Sequence, residues 1–226
     1  MQQDRVEEYL GAIYRLRGDA ETPVPLSQLA QHFGFSPVSV HEMVQKLNSR
    51  GSVRYHPYRG VTLTEMGEEA AMRLLRRHRL WERFLTDILE VAWDEAHEIA
   101  GRLEHVATEL VTDRLAAFLG DPQACPHGAP IPPQARSSSE VCLRSLREGA
   151  EAYITRIAPE VPALLQRLLE SVIVPGRRVQ VLSQSAAGTE VLIAGAATPV
   201  RVPAEDAGCV WLELIKYPDA KALQEV

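Results

Sequence analysis

The sequence predicts a mainly α-helical chain with a small β domain at its C-terminal end. Three observations carry this prediction. Residues 4–119 are dominated by apolar residues at helical spacing, interrupted by one short alternating stretch near 53–63. Residues 120–136, GDPQACPHGAPIPPQAR, hold five prolines and two glycines, the composition of a loop at a domain boundary. Beyond a Ser-rich patch, RRVQVLSQ, TEVLIAG, TPVRVP and CVWLELI are short alternating runs between turn residues, which point to a small antiparallel barrel or sandwich.

The elements follow in order. Val6, Leu10, Ile13 and Leu16 form one apolar face over residues 4–17. LSQLAQHF is a short helix that Gly34 can close in a left-handed conformation. Ser36 can cap the next helix, with Pro37 at its first position and Val40, Val44 and Leu47 on its buried face. Helix, tight turn, helix is helix-turn-helix spacing. Val53 and Tyr55, the turn PYRG, then Val61 and Leu63 read as a β-hairpin, the wing of a winged helix. Thr64 is an N-cap for the helix that follows, with Gly67 where a capping box prefers Glu. Residues 65–119 are expected to be helical throughout, with one break near Val91–Asp94. APEVPALLQRLLES precedes the alternating runs as a short helix.

Composition excludes several classes. The formal net charge of −6 argues against a protein that coats nucleic acid non-specifically. Cys125, Cys142 and Cys209 are far apart and form no C-x-x-C pair, so neither a zinc ribbon nor a disulfide framework is expected. The charged, amphipathic start is no signal peptide, and no run of eighteen apolar residues occurs, so a cytoplasmic protein without a membrane partner is expected. No H-E-x-x-H, G-x-S-x-G, Walker A or G-x-G-x-x-G motif is present, so catalysis is not expected.

Two constellations remain. From Met43 to Thr64 there are four basic residues and no acidic one. Ser36, Pro37, Ser39, Glu42, Gln45 and Lys46 on the second helix, with Arg50 and the wing-tip Arg59, form a candidate surface for double-stranded DNA. Glu42 can only accept hydrogen bonds, as from cytosine N4. The second constellation is a set of histidines and carboxylates. His78 and Glu82 stand one helical turn apart, and His97, Gly101, Glu104 and His105 fall on one face of the next helix, beside an apolar stripe of Ile99, Leu103, Val106 and Leu110. Imidazoles and carboxylates on facing helices suit a divalent first-row metal; a salt-bridged helical interface is the other reading.

At these residues the chain resembles the DtxR/MntR family of iron- and manganese-dependent transcriptional regulators. VEEYLGAIYRL resembles the family's first helix, FSPVSVHEMVQKLNSRGSV its helix-turn-helix and YRGVTLTEMG its wing. RRHRLWERFLTDIL with AHEIAGRLEHVAT resembles the metal-binding helix pair, CPHGAPIP the loop closing the dimerisation domain, and the alternating tail the SH3-like, FeoA-type domain of longer members. The resemblance implies a winged-helix DNA-binding domain over 1–70, a helical metal-binding and dimerisation domain over 71–136, a linker over 137–150 and an SH3-like β-barrel over 151–226. It implies a homodimer on a pseudo-palindromic operator, and repression of metal-uptake genes.

It also implies two metal positions. His78, Glu82 and His97 match the ancillary ligands; Glu104 and His105 match two of the primary ligands. Glu8 falls where iron sensors carry Met and manganese sensors Asp. Gly101 stands where those sensors carry Cys or Glu, and Gly11 where manganese members supply a further carboxylate, so this chain departs from the pattern at both. Glu160 reads as a helix-start carboxylate, with ligation from the third domain as its second reading. The resulting donor set has no thiolate or thioether, which favours Mn²⁺ or Fe²⁺ over copper, with Mn²⁺ ahead; Zn²⁺ would bind in vitro. A winged-helix regulator that ignores metal, or answers to an organic ligand, is the alternative that the two glycines leave open.

Overall fold

The computed structural model describes residues 2–17, 22–134 and 139–216. Residues 137 and 138 of the expected linker and the last ten residues of the expected sheet domain lie outside the described residues. The chain forms two compact units, one of residues 1–77 with 104–107, the other of 78–103 with 108–226.

The first unit contains α1 (Gln2–Leu16), α2 (Leu26–Phe33), α3 (Pro37–Ser49), β1 (Val53–His56), β2 (Gly60–Leu63) and the start of α4 (Glu65–Asp87). Gly34 closes α2 at φ 66°, and the Phe35 N–H donates back to the Ala30 carbonyl at 3.1 Å. Ser36 caps α3 by accepting from the Ser39 N–H at 3.2 Å, with Pro37 at the first position. The apolar faces of α1, α2 and α3 and the hairpin meet in one core that includes Leu10, Ile13, Leu29, Val40, Val44, Leu47, Val53 and Val61. β1 and β2 form the expected hairpin and pair antiparallel, Val53 opposite Leu63 and Tyr55 opposite Val61. Thr64 accepts from the Gly67 N–H at 3.2 Å. Gly67 is there for a steric reason that the capping pattern hides: a Cβ on it would lie 1.9 Å from the Ser52 carbonyl oxygen.

The second unit contains the rest of α4, α5 (Trp93–Leu103), α6 (Glu109–Phe118), β3 (Val141–Cys142), a 3₁₀ turn (Leu143–Ser145), β4 (Glu151–Ile157), α7 (Pro162–Glu170), β5 (Arg178–Ser185), β6 (Gly188–Ile193), β7 (Val200–Pro203), α8 (Ala204–Ala207) and β8 (Val210–Lys216). The strands form one antiparallel sheet in the order β3-β8-β4-β5-β6-β7. Its inner face alternates as the sequence requires: Val179 and Val181 on β5 are buried while Arg178 and Gln180 are exposed. Ile154, Leu165, Leu168, Val191 and Leu212 fill the core, and Trp93 at the start of α5 packs against it. Arg156 is the buried charge of this sheet. It is held by Glu140 at 2.7 Å and lies over the Trp211 ring.

Two expectations need correction. Residues 141–150 are not a linker: β3 pairs with β8, and Leu143, Leu146 and Ala150 are core residues. The sheet domain therefore starts before 151. The helix expected through residue 119 breaks a second time: α5 ends at Leu103, Glu104, His105 and Val106 form a turn, and Thr108 caps α6 by accepting from the Val111 N–H at 3.4 Å. Glu104 and His105 thus leave the helix that carries His97, and Val106 and Leu110 are exposed instead of continuing the stripe.

Candidate metal centres and nucleic-acid interface

In the second unit, α4 and α5 turn His78, Glu82 and His97 toward one another. Glu82 is fully buried, and one of its oxygens, Oε1, is the point of convergence: His97 Nδ1 lies at 2.8 Å, His78 Nε2 at 3.1 Å and His127 Nδ1 at 3.4 Å. The two histidines of the helix pair also approach each other, with His78 Nε2 and His97 Nδ1 3.1 Å apart. One carboxylate oxygen has two lone pairs and cannot serve three donors well. Nitrogens crowding it in this way are placed to offer lone pairs to a cation. Glu82 Oε2 is buried with no hydrogen-bond partner among the described residues, a costly arrangement unless a ligand completes it.

The Pro-rich loop closes this pocket. His127 is buried, and its Nε2 stands 3.0 Å from the Trp93 carbonyl, which fixes the ring and leaves Nδ1 facing Glu82. A ligating histidine is commonly oriented by such a backbone acceptor. The Cys125 thiol lies 3.8 Å from His127 Nδ1 and donates to Glu160 Oε1, also at 3.8 Å. Glu160 Oε2 stands 3.8 Å from His97 Nδ1. Donor atoms mutually within 4.8 Å form two sets, His78, Glu82, His97 and Glu160, and Glu82, Cys125 and His127.

Electrostatics follow from this burial. Burial pushes the Glu82 carboxyl up, but the charge of His78 and hydrogen bonds from His127, His78 and His97 outweigh it and hold it well below the ordinary carboxylate range. Burial pushes the Cys125 thiol up, reinforced by the charges of Glu82 and Glu160. Burial pushes His127 down, but its hydrogen bond to Glu82 and that carboxylate's charge prevail, so it holds a proton more tightly than an ordinary histidine. A cation would displace these protons.

Cys125 and His127 were not among the ligands expected from sequence. The expected donor set has no thiolate, whereas the structure places the Cys125 sulfur in the pocket. The signal was the Cys-x-His spacing inside a loop otherwise made of turn formers.

A second cluster lies in the first unit around His105. Its Nε2 is 3.4 Å from Glu104 Oε1 and 3.8 Å from Glu8 Oε1, and its Nδ1 is 3.5 Å from Glu7 Oε2. Glu7 also pairs with Arg77 at 2.8 Å. Glu104 is buried and Glu8 exposed. Among the described residues, no three donors mutually within 4.8 Å include this group. The departures at the two glycines have different surroundings. A Cβ on Gly101 would meet only His78 Cε1 at 4.0 Å, whereas one on Gly11 would press on Leu74 Cδ2 at 3.1 Å.

The candidate DNA surface is on α3 and the hairpin. Ser36, Pro37, Ser39, Glu42, Gln45, Arg50 and Arg59 are exposed, and Lys46 is half-buried. Ser36 Oγ pairs with Ser39 Oγ at 3.0 Å, and Gln45 with His41 Nε2 at 3.3 Å. The hairpin tip also presents Tyr58, fully exposed at φ 62° beside Arg59, which the sequence reading passed over as a turn residue.

Known proteins match along this whole arrangement. Residues 1–61 match the iron dependent repressor N-terminal DNA binding domain, 64–133 the iron dependent repressor metal binding and dimerisation domain, and 141–214 the FeoA domain. The iron-dependent repressor IdeR of Mycobacterium tuberculosis is 32% identical over 227 residues, covering 94% of this chain and 98% of the relative. The diphtheria toxin repressor of Corynebacterium glutamicum is 31% identical over 193 residues, covering 83% of this chain and 82% of that one. A solved manganese-dependent transcriptional repressor in complex with manganese superposes with a TM-score of 0.86 at 32% identity, covering 93% of this chain and all of that one. These relatives are transcriptional repressors rather than enzymes. The chain belongs to the iron/manganese-dependent repressor family of DNA-binding transcriptional regulators.

Proposed function

We propose that this protein is a cytoplasmic repressor of metal-uptake genes, activated by Mn²⁺ or Fe²⁺, which binds a pseudo-palindromic double-stranded operator as a homodimer. The observation that carries the metal reading is the convergence of three imidazoles on one oxygen of the fully buried Glu82. The donor chemistry fits a divalent first-row ion. The Cys125 sulfur removes the hard-donor argument that put Mn²⁺ ahead of Fe²⁺, and Zn²⁺ would bind more tightly than either in vitro. His78, Glu82 and His97, with His127, Cys125 and Glu160 within reach, are the candidate metal ligands of this pocket.

Glu8, Glu104 and His105 are the candidate ligands of the second position. A bound divalent cation supplies the positive charge that lets the carboxylates and imidazoles of each cluster close together. His105 and Glu104 sit on the short turn between α5 and α6, and Glu8 sits on α1. Drawing them together fixes that turn against the first helix of the DNA-binding domain. In a dimer this sets the spacing of two α3 helices, so that half-sites about one helical turn, 34 Å, apart become readable. Exposed Leu110, Val111 and Phe118 on α6 supply an apolar face for the dimer, within the stretch that matches a dimerisation domain.

Calorimetry on chelator-treated protein tests this reading. Saturable binding of Mn²⁺ and Fe²⁺, weakened at least tenfold by Glu82→Gln, is expected. Absence of saturable binding would leave a winged-helix regulator that ignores metal or answers to an organic ligand, the reading that Gly11 and Gly101 motivate.

A further inference from the structure

We propose that the pocket around Glu82 holds two divalent cations, one in a His78/His97 half and one in a Cys125/His127 half, with Glu82 and Glu160 shared between them. This rests on the reading of the pocket as a metal site and goes beyond it in ion number and donor chemistry. Four features carry it.

The six side chains form two donor sets rather than one, and Glu82 is a member of both. A single ion needs all its ligand atoms within one coordination sphere, and two overlapping sets are the pattern of a pair of ions. Glu160 divides its oxygens in the same way, Oε2 toward His97 Nδ1 and Oε1 toward Cys125 Sγ, each at 3.8 Å. Bridging carboxylates are the usual link in paired-metal sites, where the ions stand about 3.5–4 Å apart. Glu82 Oε2 is buried without a hydrogen-bond partner among the described residues, although Oε1 is crowded by three nitrogens. His127 of the second half also approaches Oε1, so the halves meet at Glu82, and a second ion would give Oε2 a partner. Finally, His127 is fixed by the Trp93 carbonyl at Nε2, which leaves its Nδ1 between Glu82 Oε1 at 3.4 Å and Cys125 Sγ at 3.8 Å as a preset ligand.

The two halves differ in softness. Nitrogen and carboxylate donors around His78 and His97 suit Mn²⁺ or Fe²⁺, while the sulfur of Cys125 tilts the other half toward Fe²⁺, Co²⁺ or Zn²⁺. The pocket can therefore hold two unlike ions.

Cobalt titration tests the proposal, because a thiolate bound to Co²⁺ gives a near-ultraviolet charge-transfer band. The Glu104→Gln/His105→Gln double variant removes donors of the other cluster, so that native mass spectrometry counts ions in the Glu82 pocket alone. Two Co²⁺ per chain are expected, with the charge-transfer band present. Cys125→Ser in that background should abolish the band and lower the count to one; His97→Gln should lower the count to one and keep the band. One Co²⁺ per pocket would overturn the two-ion proposal and leave metal response intact. No ion in the pocket would defeat both.

Discussion

Nitrogens of His78, His97 and His127 approach one oxygen of the buried Glu82, and the proposed site turns on that side chain. Its lowered pKa and the raised pKa of His127 have opposite consequences for pH dependence. The Glu82 contribution to stability is present above the ordinary carboxylate range and is lost as pH falls through its depressed value. The His127 contribution is present below the ordinary histidine pKa and is lost as pH rises through its raised value. In the proposed site a cation needs neutral His127, and sulfur ligation also needs ionised Cys125, so affinity should rise with pH. A loss of Mn²⁺ affinity as pH falls through the raised His127 value, about tenfold per pH unit for one displaced proton, is the expected result in calorimetry. A flat profile would show that His127 does not ligate. Two glycines make contrasting predictions in thermal or denaturant unfolding. Gly67→Ala places a Cβ 1.9 Å from the Ser52 oxygen, with backbone that cannot move aside cheaply, and should cost about 2 kcal/mol or more. Gly101→Ala has open space inside α5 and should gain about 0.5–1 kcal/mol from helix propensity.

At the scale of elements, the proposed DNA reading rests on α3. Leu47→Ala removes a fully buried side chain from its core face and should cost about 2–5 kcal/mol in denaturant unfolding. Arg50→Gln should leave stability unchanged within about 0.5 kcal/mol and lower the salt dependence of DNA binding by about one phosphate contact. This helix was legible in the sequence because its cap, its proline and its apolar period agree. The hairpin was legible for the same reason, since Val53, Tyr55, Val61 and Leu63 alternate on both sides of a turn. The break after Leu103 was not legible. Ile99, Leu103, Val106 and Leu110 keep a helical period in the sequence, yet Val106 and Leu110 are exposed and the chain turns between them. Exposed apolar residues mimic a core stripe when only the spacing is visible. In the pocket, His78 and Glu82 were legible at i and i+4, whereas Cys125 and His127 sit on a loop where no periodicity marks them. The short strand at Val141–Cys142 was hidden because two paired residues show no alternation.

At the scale of the whole molecule, the account needs a dimer and a metal-dependent change in DNA affinity. Replacing Leu110 or Phe118 with Glu puts a charge on the exposed apolar face of α6 and should yield monomers at micromolar concentration in analytical ultracentrifugation, with fold preserved by circular dichroism. The central claim is that the converging imidazoles and carboxylates capture a cation and thereby favour the DNA-competent state. Its most direct test is fluorescence anisotropy with duplexes enriched from a random pool in the presence of Mn²⁺, comparing chelator-treated with Mn²⁺- or Fe²⁺-loaded protein at fixed salt. The loaded protein should bind at least tenfold more tightly, and Glu82→Gln should lose most of that gain. Equal affinity with and without metal would contradict the account.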